Sequence, residues 1–328
     1  MPAVTRVPPA SAFGVPHASG GGADSARPMN AMLAVTVAIP TYRRGQVLID
    51  TIRSLLDLDV GAAELLVLDQ TPLHPEPVAV SLRTWAAEGR IRWLRLPEPS
   101  IPKAMNRALL EARADVVLFL DDDIVPVPAL VAEHVRAHRD GNALVAGRVL
   151  QPWDRDVVSA PWAQKRFAST ESREVDGFIG CNFSVAKEVA LAIGGFDENF
   201  VRVAYNFERE FADRWRARGG RILFCPAAAI RHLKAASGGT RAFGEHLTTL
   251  SPAHAVGAYY YLLRSHPAEG RARAFLGRWV GSVTTRHHLR RPWWIPVTLA
   301  AELGGMLWAL GLSARGPRLL SAPAPSGY

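Results

Sequence analysis

This sequence predicts an α/β fold: an open, mostly parallel sheet flanked by helices, with a helical C-terminal extension. Two observations predict the sheet. Short apolar, β-branched runs alternate with amphipathic stretches from residue 33 to residue 126. Those runs lack the polar alternation of a half-exposed strand, as expected of strands covered on both faces. A third observation predicts the extension: residues 251–328 carry nine arginines against two glutamates and hold the apolar stretch WWIPVTLAAELGGMLWALGL, 293–312.

The elements follow in order. Residues 1–31 are rich in Ala, Pro, Gly and Ser without periodicity, and are expected to be a disordered extension with no signal-peptide core. LAVTVAIP (33–40) reads as a buried strand, and 45–57 places Val47, Leu48, Ile52, Leu55 and Leu56 at helical spacing. ELLVLD (64–69) is a second strand. Helix 78–88, strand 91–96 and helix 102–113 follow, with Pro102 in a first turn. DVVLFL (115–120) is the next strand. A helix at 127–138 and a strand at 143–150 precede a loop with Trp153, Trp162 and Phe167, expected to close over a ligand or to be anchored peripherally. GFIGCNFSV (177–185) alternates like a strand; 187–200 reads as a helix stopped by Gly194 and Gly195, 207–220 as an amphipathic helix, and 221–232 as a last strand ending in His232. A domain at 32–250 and a basic, apolar region at 251–328 result.

In such sheets ligands bind at the carboxyl ends of the strands. Asp69 and Asp121–Asp123 both stand there. Adjacent carboxylates repel one another, most strongly where water is scarce. A bound divalent cation with oxygen ligands, Mg²⁺ or Mn²⁺, relieves that repulsion; a solvated turn does so equally. On an extended backbone Asp121 and Asp123 share a side, and Asp122 points away as the least critical of the three. Asp69 fits a base or ribose contact, or a turn. Glu208 and Glu210 open a helix, where acids suit the dipole; either also suits a general base. No glycine-rich phosphate loop is present. Two cysteines, Cys181 and Cys225, exclude a disulfide framework and fit a reducing compartment.

VAIPTYRR, ELLVLDQT, IPKAMNRALLEARADVVLFLDDDIVP, IGGFDENF and FERE, in this order, resemble family 2 glycosyltransferases of the GT-A fold. The resemblance spans residues 33–243. It implies transfer of a sugar from a nucleotide-sugar donor to an acceptor hydroxyl, with inversion. It places Pro40, Thr41, Tyr42 and Arg44 in the nucleotide pocket and Asp69 at the base or ribose. Lys103, Asn106 and Arg107 approach the donor, with Asp121 facing the nucleotide and Asp122 beside it among the nucleotide-sugar-binding residues. Asp121 and Asp123 become the D-x-D pair, with His232 a further metal ligand, and IGGFDENF borders the acceptor. Two departures stand out. Asp69-Gln70-Thr71-Pro72 replaces an Asp-Gly-Ser-like turn, and Phe207-Glu208 occupies the place of a Glu-Asp pair. Glu208 is therefore the expected base, and Glu210 the fallback.

The arginines before 293–312 and its apolar character favour peripheral membrane contact through 286–312 over nucleic acid. A spanning helix and a helix packed on the domain are alternatives. Together these readings expect a glycosyltransferase at the inner face of the plasma membrane, acting on a lipid-linked glycan or polysaccharide. A non-catalytic nucleotide-sugar-binding or scaffold protein and a sugar nucleotidyltransferase remain the alternatives.

Overall fold

A computed structural model describes residues 33–154 and 165–321; the extension 1–31 and Trp162 lie outside the described residues. The strands are β1 (Val35–Thr41), β2 (Glu64–Asp69), β3 (Arg92–Arg95), β4 (Val116–Leu120), β5 (Ile124–Pro126), β6 (Leu144–Leu150), β7 (Arg173–Val175), β8 (Asn182–Ala186) and β9 (Ile222–His232). The helices are α1 (Gln46–Leu56), α2 (Glu76–Ala87), α3 (Ile101–Glu111), α4 (Leu130–Arg139), α5 (Lys187–Ala192), α6 (Phe207–Arg216), α7 (Val256–Ser265), α8 (Ala268–Val283), α9 (Arg286–Arg290) and α10 (Ile295–Ala314).

All described strands form one sheet, ordered β3-β2-β1-β4-β8-β6-β9-β5, with β7 on β9. The expected parallel sheet is the half β3-β2-β1-β4. Antiparallel β8 extends it, and β6 and β9 run parallel beyond. The chain leaves β1 toward β2 and β3, then returns to β4 on the other side. That reversal opens a crevice at the carboxyl ends of β1 and β4.

Alternation along β1 explains the layers: Val35, Val37 and Ile39 face one core, and Ala38 the opposite one. The first core takes Leu48, Ile49 and Ile52 of α1, Val78 and Leu82 of α2 and Leu130 of α4. The second takes Met105 of α3 and Phe211 of α6, together with Phe119, Phe183 and Phe196. Each such side chain contributes roughly 1.5–3 kcal/mol. Where β6 and β9 slip register after Gly147, Asn182 Nδ2 donates to the carbonyls of Arg148 and Ala228 at 3.0 and 2.9 Å. A Cβ on Gly147 would lie 2.2 Å from that amide nitrogen, so only glycine fits.

Two expected elements are shorter than their patterns. The strand read at 177–185 begins only at Asn182, because 177–181 bends into the crevice. The helix read at 187–200 ends at Ala192. Gly194 and Gly195 then take φ of 86° and 62°, and IGGFDENF becomes an irregular node.

Candidate active site

The crevice holds a cavity of about 430 Å³ lined by Pro40, Thr41, Tyr42 and Arg44 from the end of β1 and the turn after it. Asp121, Asp122, Glu208 and His232 line its other sides. The aspartates do not continue β4. The strand stops at Leu120, and Asp122 and Asp123 form a bend before β5. The extended-backbone reading is thus corrected, although its pairing survives by another route. Asp121, Asp123 and His232 each offer a ligand atom, all within 4.8 Å of one another. His232 Nε2 lies 3.3 Å from Asp123 and 3.7 Å from Asp121. Asp123 Oδ1 is buried without a hydrogen-bond partner, so an acceptor is left for a cation. Two carboxylates and an imidazole suit a divalent ion of the Mg²⁺ or Mn²⁺ kind.

Asp122 is not idle. It is buried and accepts from Arg44 Nε at 2.7 Å; Arg44 also lies 3.4 Å from Asp123. Burial pushes the Asp122 carboxyl up to about 7 against the pull of Arg44. Burial also raises Asp121, opposed by His232. Burial would raise Asp123 too, but His232, Arg44 and the Ala235 amide hold it below the usual range. Three adjacent acids thus occupy different electrostatic states.

The segment after β9 covers this cluster. The Leu233 amide donates to the Asp123 carbonyl and the Ala235 amide to its carboxylate, both at 2.8 Å. The Gly239 amide donates to Tyr42 O at 2.7 Å, and Arg44 Nη1 donates to Ser237 O at 2.7 Å. Gly238 has φ of 77°, and a Cβ there would meet Arg43 O at 2.3 Å. Phe243 stacks on Tyr42 with centroids 6.5 Å apart. Lys234 and Arg241 line the cavity from this segment and Arg202 from the loop before α6. The sequence reading did not assign these three cations, nor Gln70. Position alone was the available signal: Lys234 follows His232 by two residues, and Gln70 follows a strand end.

Glu208 enters from the first turn of α6. The loop before it carries three non-glycine residues in the left-handed region: Arg202, Ala204 and Asn206, at φ of 62°, 54° and 72°. Such backbone costs of order 1–3 kcal/mol per residue and collects at functional sites. Gly257 of α7 backs the loop; a Cβ there would lie 2.7 Å from Tyr205 O. Burial raises the Glu208 carboxyl to about 7, with a further push from Asp121. Glu210 is spent elsewhere: buried, it pairs with Arg214 at 2.7 Å and Arg264 at 3.5 Å.

Several expected contacts lie outside the cavity. Asp69 is fully buried; its oxygens accept from the Thr71 amide and Trp93 Nε1 at 2.9 Å and meet His74 Nε2 at 2.8 Å. It builds the turn that presents Gln70. Lys103 pairs with Glu98 and Arg107 with Glu111. Asn106 is buried on the Phe196 backbone, accepting its N–H at 2.7 Å and donating to its carbonyl at 2.9 Å. IGGFDENF likewise does not line the cavity. Asp197 accepts from Tyr260 Oη and the Arg318 amide, tying the C-terminal region to the domain. Buried amide and carboxylate groups need partners, and these found them within the chain. In the aromatic loop, Trp153 is exposed under the Lys234 ammonium, 4.9 Å from the ring centroid, and Phe167 packs edge-on to Phe224.

Similar solved structures include two with bound nucleotide and metal. One is GalNAc-T7 with UDP, GalNAc and Mn²⁺: 14% identity, TM-score 0.50, covering 62% of this chain and 44% of that one. The other is the mannosyltransferase PcManGT from Pyrobaculum calidifontis in complex with GDP-Man and Mn²⁺: 19% identity, TM-score 0.52, covering 88% and 80%. This chain thus spans less than half the length of the first, and at these identities the likeness is one of fold. No curated protein matches the sequence. Residues 36–196 match the family model described as glycosyl transferase family 2. That matched segment, which carries the crevice at β1 and β4 and the carboxylates Asp121 and Asp123, is a glycosyl transferase family 2 domain.

Proposed function

We propose that this protein transfers a glycosyl group, with inversion, from a nucleoside-diphosphate sugar to a hydroxyl of a lipid-linked glycan or polysaccharide, at the cytoplasmic face of a membrane. The observation that carries the reading is Glu208, a carboxyl raised to about 7 in the same cavity as Asp121, Asp122 and His232. A base with a pKa near the working pH both holds its carboxylate form and accepts a proton readily. In this reading Glu208 takes the proton of the acceptor hydroxyl as that oxygen bonds to the anomeric carbon. The bond to the diphosphate breaks, and its electron pair leaves with the diphosphate.

Pro40, Tyr42 and Gln70 wall the nucleoside side of the cavity. Lys234, Arg202 and Arg241 bring positive charge for the diphosphate. Asp121, Asp123 and His232 would hold a divalent ion, which when bound offsets charge on the departing diphosphate. The family 2 domain favours glycosyl transfer over nucleotidyl transfer or non-catalytic binding. The two free, buried cysteines support a reducing compartment.

Membrane contact rests on α8 and α10. The stretch Pro292–Ala314 is long and apolar enough to span, with a mean hydropathy of 1.5. Yet Thr298, Glu302 and Gly305 are buried, and Glu302 pairs with Arg278 at 2.8 Å. A spanning helix would have to give up that pair. Leu303, Leu307 and Leu310 form an exposed stripe at helical spacing, and Leu276 and Val280 form another on α8. Arg286, Arg290 and Arg291 precede α10 and suit anionic headgroups. An in-plane helix fits these facts.

The test is Glu208→Gln. Glycosyl transfer is expected to fall about 10²- to 10⁴-fold while the thermal shift with nucleotide and Mn²⁺ persists. Unchanged transfer would overturn the assignment.

A further inference from the structure

A second cavity, of about 510 Å³, lies among α6, α7, α8 and α10. Tyr205 lines both cavities, so they share a wall. Consecutive residues of α6 serve the two: Glu208 lines the first and Arg209 the second. A helix turns about 100° per residue, which sends neighbouring side chains to different sides.

The second cavity is electropositive. Arg209, Arg278, His246 and His266 line it against one carboxylate, Glu302, which Arg278 already neutralises at 2.8 Å. Partial desolvation lowers the His246 pKa, and the neighbouring His254, Arg278 and His288 lower it further. The cavity is also unsatisfied. His266 Nδ1 is buried without a hydrogen-bond partner, while Arg278 and Glu302 interact with the Tyr259 hydroxyl. An unpaired buried polar atom is costly, and His266 Nδ1 beside the Arg209 and Arg278 guanidinium groups points to a polar occupant. The Arg209 guanidinium lies over the Tyr261 ring at 5.6 Å and that of Arg278 over Tyr259 at 5.1 Å. Planar guanidinium groups held against rings are well placed for bidentate recognition of an anion.

We propose that this cavity binds an anionic group of the acceptor, a phosphate or a carboxylate, and thereby sets which acceptor hydroxyl reaches Glu208. The proposal rests on the glycosyl-transfer reading and adds the acceptor's charge to it. Position favours the acceptor over the donor. The cavity shares the Tyr205 wall with the one that holds Glu208, and Lys234, Arg241 and the Asp121–Asp123–His232 cluster stand on that other side. It also runs along α8, which carries the exposed Leu276 and Val280, so an amphiphilic phosphate could keep its tail on the apolar face.

The experiment is calorimetric titration of the full chain, with chelator present, using dodecyl phosphate below its micelle concentration, a uronic-acid disaccharide, or dodecyl maltoside. Binding of the phosphate alone supports the proposal and assigns the anion to a lipid phosphate. Binding of the uronide alone supports it and assigns the anion to an acidic sugar. Arg209→Ala with His246→Ala, both exposed positions, is expected to weaken the active probe about tenfold or more. A second variant, Arg278→Met with Glu302→Leu, removes the buried pair together and is expected to weaken it similarly. Equal binding of the neutral maltoside, no binding of either anion, or unchanged affinity in both variants would overturn the proposal. The thermal shift with UDP or GDP and Mn²⁺ is read in parallel. Its absence in the unaltered protein sinks the glycosyl-transfer reading, whereas an intact shift without anion binding sinks only the acceptor pocket.

Discussion

At the carboxyl ends of β1 and β4, Arg44, Asp122, Asp123 and His232 are pinned by strand ends and by the backbone of the covering segment. In α7–α10 the charges pair side chain to side chain, Arg278 on Glu302 and Arg264 on Glu210, with the leucines of α10 facing outward. In the first region the groups are tied across chain segments distant in sequence. The second leaves room on its inner side and an apolar surface on its outer side. Cross-linked side chains suit the transfer chemistry proposed for the first region, and the amphipathic surface suits the acceptor proposed for the second. Gly257 joins them, since α7 presses on the loop that aims Glu208.

The hardest test of this contrast is Asp123→Ala. It removes a fully buried carboxylate that touches His232, Arg44 and the Ala235 amide. Metal-dependent transfer is expected to fall by about 10⁴-fold or more, with Mn²⁺ no longer raising thermal stability. A loss no greater than that in the acceptor-cavity variants would erase the distinction between the regions.

Glu208 gives the next effect. Its carboxyl is raised to about 7, and a general base must be ionised, so kcat/KM should climb with pH through about 7 and level off above. Glu208→Gln should lose that limb along with its activity. A limb that persists in the variant would assign it to another group.

The first region was largely legible in the sequence and the second was not. Strand ends can be read from apolar runs, and the sheet brings them to one edge; hence Asp121, Asp123 and His232 converge. The rule failed where a residue's own neighbourhood took it up. Asp69, Asn106 and Asp197 look like ligand contacts by position, yet each is buried on backbone or side-chain donors that only the tertiary fold supplies. Asp122 was expected to be spare on an extended backbone, but a bend turns it onto Arg44. In α7–α10 the periodic pattern marks a helix without saying which side meets the domain. Glu302 and Gly305, which seemed to spoil an apolar helix, are the contacts that seat it.

Arg44→Met probes the buried pair as structure. It leaves Asp122 unpaired, and loss of one partner of a buried pair costs about 3–5 kcal/mol. Urea unfolding with chelator present reads that loss directly. A cost within about 0.5 kcal/mol, the range of an ordinary surface change, would mean that the edge is no more tightly held than the helices.

The smallest expected effect falls on the outer face. Leu307 and Leu310 are 58% and 44% exposed, so replacing both with Gln should leave urea stability unchanged. If the face docks on lipid, each leucine gives up about 1 kcal/mol of burial, and partitioning onto anionic vesicles should fall about tenfold to thirtyfold. Adding salt should weaken the unaltered protein's binding through Arg286, Arg290 and Arg291, while leaving the ratio between the two proteins nearly constant, because apolar burial is not screened. Sedimentation with phosphatidylserine-containing vesicles at two salt concentrations separates the contributions. Equal partitioning of both proteins would remove the leucine stripe from the membrane contact and leave any binding to charge alone. The outer surface of α7–α10 would then differ from the catalytic edge only in sign and packing, not in what it touches.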